Sequence, residues 1–120
     1  MLSVSSGVKV FLYAPHADLR RGYDGLAAIV QEAMGENPLS GSLFVFVNKR
    51  RNRIKLLYWD RDGYAIWMKR LERGTLELPK AKDPEAASLK ITASQLSLIL
   101  EGIELSSVRR RKRYRLSKAG

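Results

Sequence analysis

Apolar positions recur along the first hundred residues with two periods, and the switches between those periods divide the chain into elements. In VKVFLYA (8–14) β-branched and aromatic residues alternate, Val8, Val10 and Leu12 share one face, and Pro15 ends the run, which is the pattern of a strand. From Asp24 the period lengthens. Leu26, Ile29, Val30 and Ala33 repeat at i, i+3, i+4 and i+7, predicting a helix with Asp24 as N-cap and Gly35 as its stop. SLFVFV (42–47) is apolar at nearly every position, as a strand covered on both faces requires. RIKLLYW (53–59), YAIWMKRL (64–71) and TLELP (75–79) read as three further strands. Their connections are Asp60-Arg61-Asp62-Gly63 and Glu72-Arg73-Gly74, whose glycines are expected to supply positive φ. KAKDPEAASLK (80–90) reads as a loop. TASQLSLILEGI (92–103) is the second helix, with a Thr92/Gln95 capping box, an apolar stripe of Leu96, Ile99, Leu100 and Ile103, and Gly102 at the C-terminal cap.

The resulting order, β-α-β-β-β-β-α, predicts an α+β fold: a mainly antiparallel sheet with two helices over one face and a basic C-terminal tail. The last four strands are expected to form a meander, while the edge at which the first strand pairs is left open. Residues 1–104 form one domain on this reading, and 105–120 a basic, flexible extension. Helices on one face only would leave the other face of the central strands bare. Homodimerisation through that second face is one solution, with Leu57, Trp59 and Trp67 as candidates for the surface.

Composition changes this picture mainly through charge. Twenty-two Lys and Arg against 12 Asp and Glu leave +10, and seven of the cations lie in the last twelve residues with no acid among them, so the rest of the chain carries only +3. A clustered surplus of this kind is the footprint of a protein that meets a polyanion. With no cysteine, disulfide frameworks, thiolate nucleophiles and thiolate metal sites are excluded. The N-terminal residues lack the basic start and unbroken apolar run of a signal peptide, and nowhere do about 18 apolar residues run together. These features predict a soluble intracellular protein without membrane association.

DLRRGYDGLAAIV (18–30), NPLSGSLFVFVNKRRNRIKLLYWDRDG (37–63), KRLERG (69–74) and TASQLSLILEGIE (92–104), taken in that order, resemble the accessory protein of bacterial insertion sequences of the IS-sixty-six type. That protein is the product of the second open reading frame, often labelled TnpB and unrelated to the RNA-guided nuclease sharing the label. The resemblance spans residues 8–104 and implies a small protein encoded beside a transposase and involved in moving the element. It supplies no catalytic residues. Any role for 105–120 rests on charge alone.

The stretch between the second and third strands places Lys49, Arg50, Arg51, Arg53 and Lys55 within seven positions. Such a hairpin can lie along a phosphate backbone, arginine gripping phosphate with paired hydrogen bonds; it can also be a solvated turn that blocks edge pairing. Arg53 and Lys55 share one face of their strand, and register decides whether Lys69 or Arg70 joins them. Arg109, Arg110, Arg111, Lys112, Arg113 and Arg115 of the tail, with Tyr114 among them, supply a second cationic segment. Asp18, Arg20, Arg21 and Asp24 read as an ion-paired helix entry, the alternative being that the arginines face outward and bind. Asp60 and Asp62, with Glu72 or Asp24, could hold a divalent metal, but Asp-x-Asp-Gly is equally a hairpin turn. His16 stands alone, and no phosphate loop, nucleophile elbow or zinc spacing occurs.

Sequence therefore predicts a non-catalytic accessory factor in transposition, without cofactor or metal. It would bind DNA at element ends through hairpin and tail, contact the transposase, and lie in the bacterial cytoplasm, with the nucleoid when DNA is bound. A protein-only adaptor docking through Trp59 and Trp67 and a metal-dependent nuclease are the competing readings.

Overall fold

The computed structural model describes residues 4, 5 and 7–102. Its elements are β1 (Val10–Tyr13), α1 (Tyr23–Glu32), β2 (Leu43–Val47), β3 (Arg53–Asp60), β4 (Gly63–Arg70), β5 (Ser88–Ile91) and α2 (Ala93–Glu101). The fold is α+β with the expected order, and the single sheet runs β4-β3-β2-β1-β5. β1 pairs parallel with β2 and antiparallel with β5, whereas β2-β3 and β3-β4 are antiparallel. The first strand thus lies inside the sheet, and β1-α1-β2 is a crossover unit that carries α1 onto one face.

The meander is one strand shorter than expected. TLELP (75–79) is not a strand; the fifth strand is SLKI, from the stretch read as a loop. The alternation of TLELP serves packing instead: Leu76 is buried, and its N–H donates to the Arg51 carbonyl at 2.7 Å, laying the segment across the end of the sheet.

The helices also divide differently from expectation, covering opposite faces. Leu26, Ala27 and Val30 of α1 pack with Phe44, Phe46 and Leu57, while Leu96 and Ile99 of α2 pack with Val10, Leu12, Val45, Ile54 and Leu56. β2 is buried at every position because it contributes alternately to both cores. No second copy is needed to cover the sheet. Leu57 is fully buried beneath α1, and Trp59 meets Tyr64 edge-on at 5.1 Å and 82°. Trp67 packs against the α2-side core.

The second helix begins as its sequence predicts. Thr92 Oγ1 accepts from the Gln95 N–H at 3.0 Å, Gln95 Oε1 accepts from the Thr92 N–H at 2.9 Å, and Gly102 ends the helix at φ +79°. The first helix differs at its start, where Gly22 and not Asp24 is the N-cap, with Asp24 in the first turn. It ends at Glu32 with Ala33, not Gly35, as C-cap; Gly35 follows two residues on at φ +67°, and the Glu36 N–H returns to the Val30 carbonyl at 3.0 Å. In the β3-β4 turn Arg61, not Gly63, takes the positive φ of +57°.

Candidate functional site

Strand direction gathers three loops at one end of the sheet: 14–22 after β1, 48–52 between β2 and β3, and 71–79 after β4. Backbone bonds lock them together. The Ala17 N–H donates to the Val47 carbonyl at 2.9 Å, Leu71 N–H to Asn52 O at 2.7 Å, and Leu76 N–H to Arg51 O at 2.7 Å.

The hairpin itself is clamped from within. Asn48 Oδ1 accepts from the N–H groups of Asn52 (3.1 Å) and Arg53 (2.9 Å), and Asn48 Nδ2 donates to Asn52 Oδ1 at 2.7 Å. Arg51 takes the left-handed region at φ +57°, and its N–H donates to Asn48 O at 3.0 Å. Lys49, Arg50 and Arg51 therefore project from a turn whose backbone is fixed. Among the described residues, no side chain of Lys49, Arg50, Arg51, Arg53 or Lys69 enters a hydrogen bond or ion pair.

Register settles which cation joins Arg53. Arg53 lies opposite Arg70, and Lys55 opposite Met68, so Arg53, Lys55 and Arg70 share the α1 face. Lys69 lies opposite Ile54 and points to the α2 face. Arg70 is partly neutralised by Glu72, whose Oε1 is 2.9 Å from Nη2. Lys55 donates from Nζ to the Arg21 carbonyl at 3.0 Å, tying the entry of α1 to β3.

On the α1 side the surface forms a groove of about 460 Å³ lined by Arg53, Lys55, Arg70, Leu19 and Met68, with Ile54, Lys69 and the Glu72 carboxylate also at its wall. It shares Leu19 and Arg53 with a smaller hollow of about 250 Å³ whose lining adds Arg20, Asp18 and Arg50. Lys49 and Arg51 lie on the other side of the turn, beside His16 and Leu78. The pleat thus divides the hairpin cations between two sides of one end of the sheet. Arg109, Arg110, Arg111, Lys112, Arg113 and Arg115 lie outside the described residues.

Leu19 was not among the binding candidates, and Arg20 was read first as part of an ion-paired helix entry, because the parallel pairing of β1 with β2 is what brings their loop beside Arg50 and Arg53. The ion pair expected there forms between Asp18 and Arg20. Arg20 Nη2 approaches Asp18 Oδ2 to 2.7 Å and Nε reaches Oδ1 at 2.9 Å. These side-chain hydrogen bonds hold the Asp18 carboxyl well below the usual carboxylate range and raise the Arg20 guanidinium.

The acidic turn is at the opposite end. The Asp62 N–H donates to the Asp60 carbonyl at 2.6 Å, and Asp60 pairs with Gly63, which makes the segment a tight hairpin turn. Glu72 is roughly 25 Å away along β4 and faces Arg70. No cluster of three or more His, Cys, Asp or Glu capable of holding a metal occurs among the described residues, and no described helix is long and apolar enough to cross a membrane.

Fold and site together define a small α+β protein that presents cations from one braced end of its sheet. The chain belongs to the IS66 Orf2-like family, matching the family described as IS66 Orf2 like protein over residues 8–110. The family gives it an accessory role associated with insertion sequences and transposition. It is 38% identical over 104 residues to the uncharacterized protein y4hO of Sinorhizobium fredii, covering 87% of this chain and 88% of that one. It is 33% identical over 111 residues to the uncharacterized protein y4jC of the same organism, covering 92% of each. No solved structure matches the chain.

Proposed function

We propose that this protein is a non-catalytic accessory factor of transposition that binds DNA along the basic end of its sheet and assists the transposase. The observation that carries the reading is the clamped hairpin, which holds Arg50, Arg51 and Arg53 without partners among the described residues. A solvated turn needs no such internal bracing. A turn whose backbone is already fixed needs no loop ordering on meeting phosphate, and each phosphate neutralised releases counterions. Arg70 lines the groove and Arg20 the adjoining hollow, with Arg53 common to both, so a backbone lying across them meets cations from the 14–22 loop, the hairpin and the end of β4. The tail cations add a second attachment by charge, and the chemistry of strand cleavage belongs to the transposase.

If hairpin and tail together meet about six phosphates, log affinity falls with log salt at a slope near −5. Replacing Arg50, Arg51 and Arg53 together with serine reduces the magnitude of that slope by about 2.7, measured by fluorescence anisotropy on labelled duplex over a salt series. Unchanged affinity and slope would remove the hairpin from the interface.

A further inference from the structure

β4 is an edge strand eight residues long, and its ladder with β3 runs without a bulge from Asp60 and Gly63 to Arg53 and Arg70. Edges of this length are ordinarily shortened, bulged, interrupted by proline, charged or covered, and β4 carries charge only at its last two positions, Lys69 and Arg70. Here the run Tyr64-Ala65-Ile66-Trp67-Met68 is half-buried at best, Met68 is 62% exposed, and among the described residues no strand pairs with its outer side. The Leu71 N–H donates to Asn52 O, continuing the β3 ladder. By the alternation of antiparallel bonding, residues 65, 67 and 69 also bond to β3, leaving the N–H and C=O groups of Tyr64, Ile66, Met68 and Arg70 pointing outward.

We propose that this edge is a homodimer interface in which two copies pair antiparallel through β4, Ile66 opposite Ile66 of the second copy. Several features of the strand favour a second copy as the occupant. A two-fold axis through an antiparallel strand pair stands perpendicular to the sheet, so residues facing each other must come from the same side of the pleat. In the register centred on Ile66, Tyr64 meets Met68, small Ala65 meets large Trp67, and Arg70 meets Asp62. Apolar groups thus meet apolar groups, and the basic end of each strand meets the acidic turn of the other. Shifting the centre to Trp67 sets Asp62 against Glu72 and Ala65 against Lys69. Shifting it to Met68 sets Trp67 against Lys69. Only the Ile66 register of these three is charge-complementary and uniformly apolar at its middle.

The pairing joins two sheets of five strands into one and keeps both α1 faces on the same side. Arg53 of the two copies would then stand roughly 30 Å apart, from about eight residues along the strand and three strand spacings across. That is close to the roughly 34 Å turn of duplex DNA. This last consequence rests on the DNA-binding reading; the dimer itself does not.

Sedimentation equilibrium of the full chain, nuclease-treated and in high salt, tests the interface. The expected mass rises with concentration from 13.6 kDa toward twice that value. Met68→Pro removes an outward N–H without touching the β3 ladder, so it is expected to stay monomeric with an unchanged circular dichroism spectrum. The chain has no cysteine, which permits a second test that does not depend on that variant folding. Ile66→Cys places two thiols on the axis at a Cα separation of about 5.5 Å, within disulfide reach, whereas the more exposed Met68→Cys places them roughly 14 Å apart. Mild oxidation is expected to cross-link the first and not the second. A wild-type chain that stays monomeric at every concentration, a folded Met68→Pro variant that still dimerises, or equal cross-linking of the two thiols overturns the proposal. Failure here leaves the anisotropy result for the hairpin untouched, so the two ideas fall separately.

Discussion

Asp18 is the one carboxylate that lines the hollow beside Arg50 and Arg53, and it holds Arg20 in a two-point grip. Because both side chains are exposed, water screens the pair and its value to stability is small. On the proposed DNA-binding reading its effect on binding is larger, since it cancels a cation where phosphate would lie. The folded carboxyl titrates below its ordinary value of 3.8, so the pairing is complete above that value and is lost only as pH falls through the depressed folded pKa. Acidity near neutrality therefore cannot release Arg20, but substitution can. Asp18→Asn is expected to tighten duplex binding and to steepen the salt slope by up to about one unit, read by anisotropy at neutral pH; weaker binding would mean that the ion pair positions the loop for contact. The adjacency that makes this residue matter was not legible in the chain. Asp18 and Arg20 lie some thirty residues before Arg50, and they share a surface through the β1-β2 pairing, which the bond from Ala17 N–H to Val47 O extends.

The proposed DNA contact runs through the hairpin, and Asn48 is what shapes that element. One side-chain amide there satisfies two backbone donors and the Asn52 carboxamide. Asn48→Ala leaves those part-buried groups without partners and should lower stability by roughly 1–3 kcal/mol, seen as a lower unfolding midpoint in a urea titration. Duplex affinity should fall as well although no charge is removed, which distinguishes a braced site from a cloud of cations. Other elements differ in how far they could be read. The capping box of α2 was legible because both partners of its reciprocal bonds lie within four residues. β5 was not, since SLKI is short and follows a polar loop, and its strand character comes from β1 beside it. TLELP misled for the converse reason: alternation reports which side chains are buried, and Leu76 is buried by crossing the sheet end rather than by joining the ladder. The both-sided burial of β2 was plain in the sequence, but the helix covering each side depends on the parallel crossover, which needs pairing information that local pattern does not hold.

For the molecule as a whole, the governing quantity is where the positive charge sits. The body carries only +3, so its attraction to a polyanion depends on local concentration of cations at one end, whereas the seven tail cations act by number. These two sources differ in what they can contribute to recognition. Cations held on a folded end have a defined spacing and can favour one groove geometry over another. A run of arginines and lysines acting through charge attracts every duplex alike, because phosphates carry no sequence information. Truncation after Ser107 is therefore expected to weaken binding to element ends and to random duplex by the same factor, while the salt slope falls from near −5 toward about −3. Parallel anisotropy titrations on the two duplexes measure both quantities. If truncation instead removes a preference for element ends, the tail reads bases, and the folded end of the sheet becomes the anchor instead of the reader.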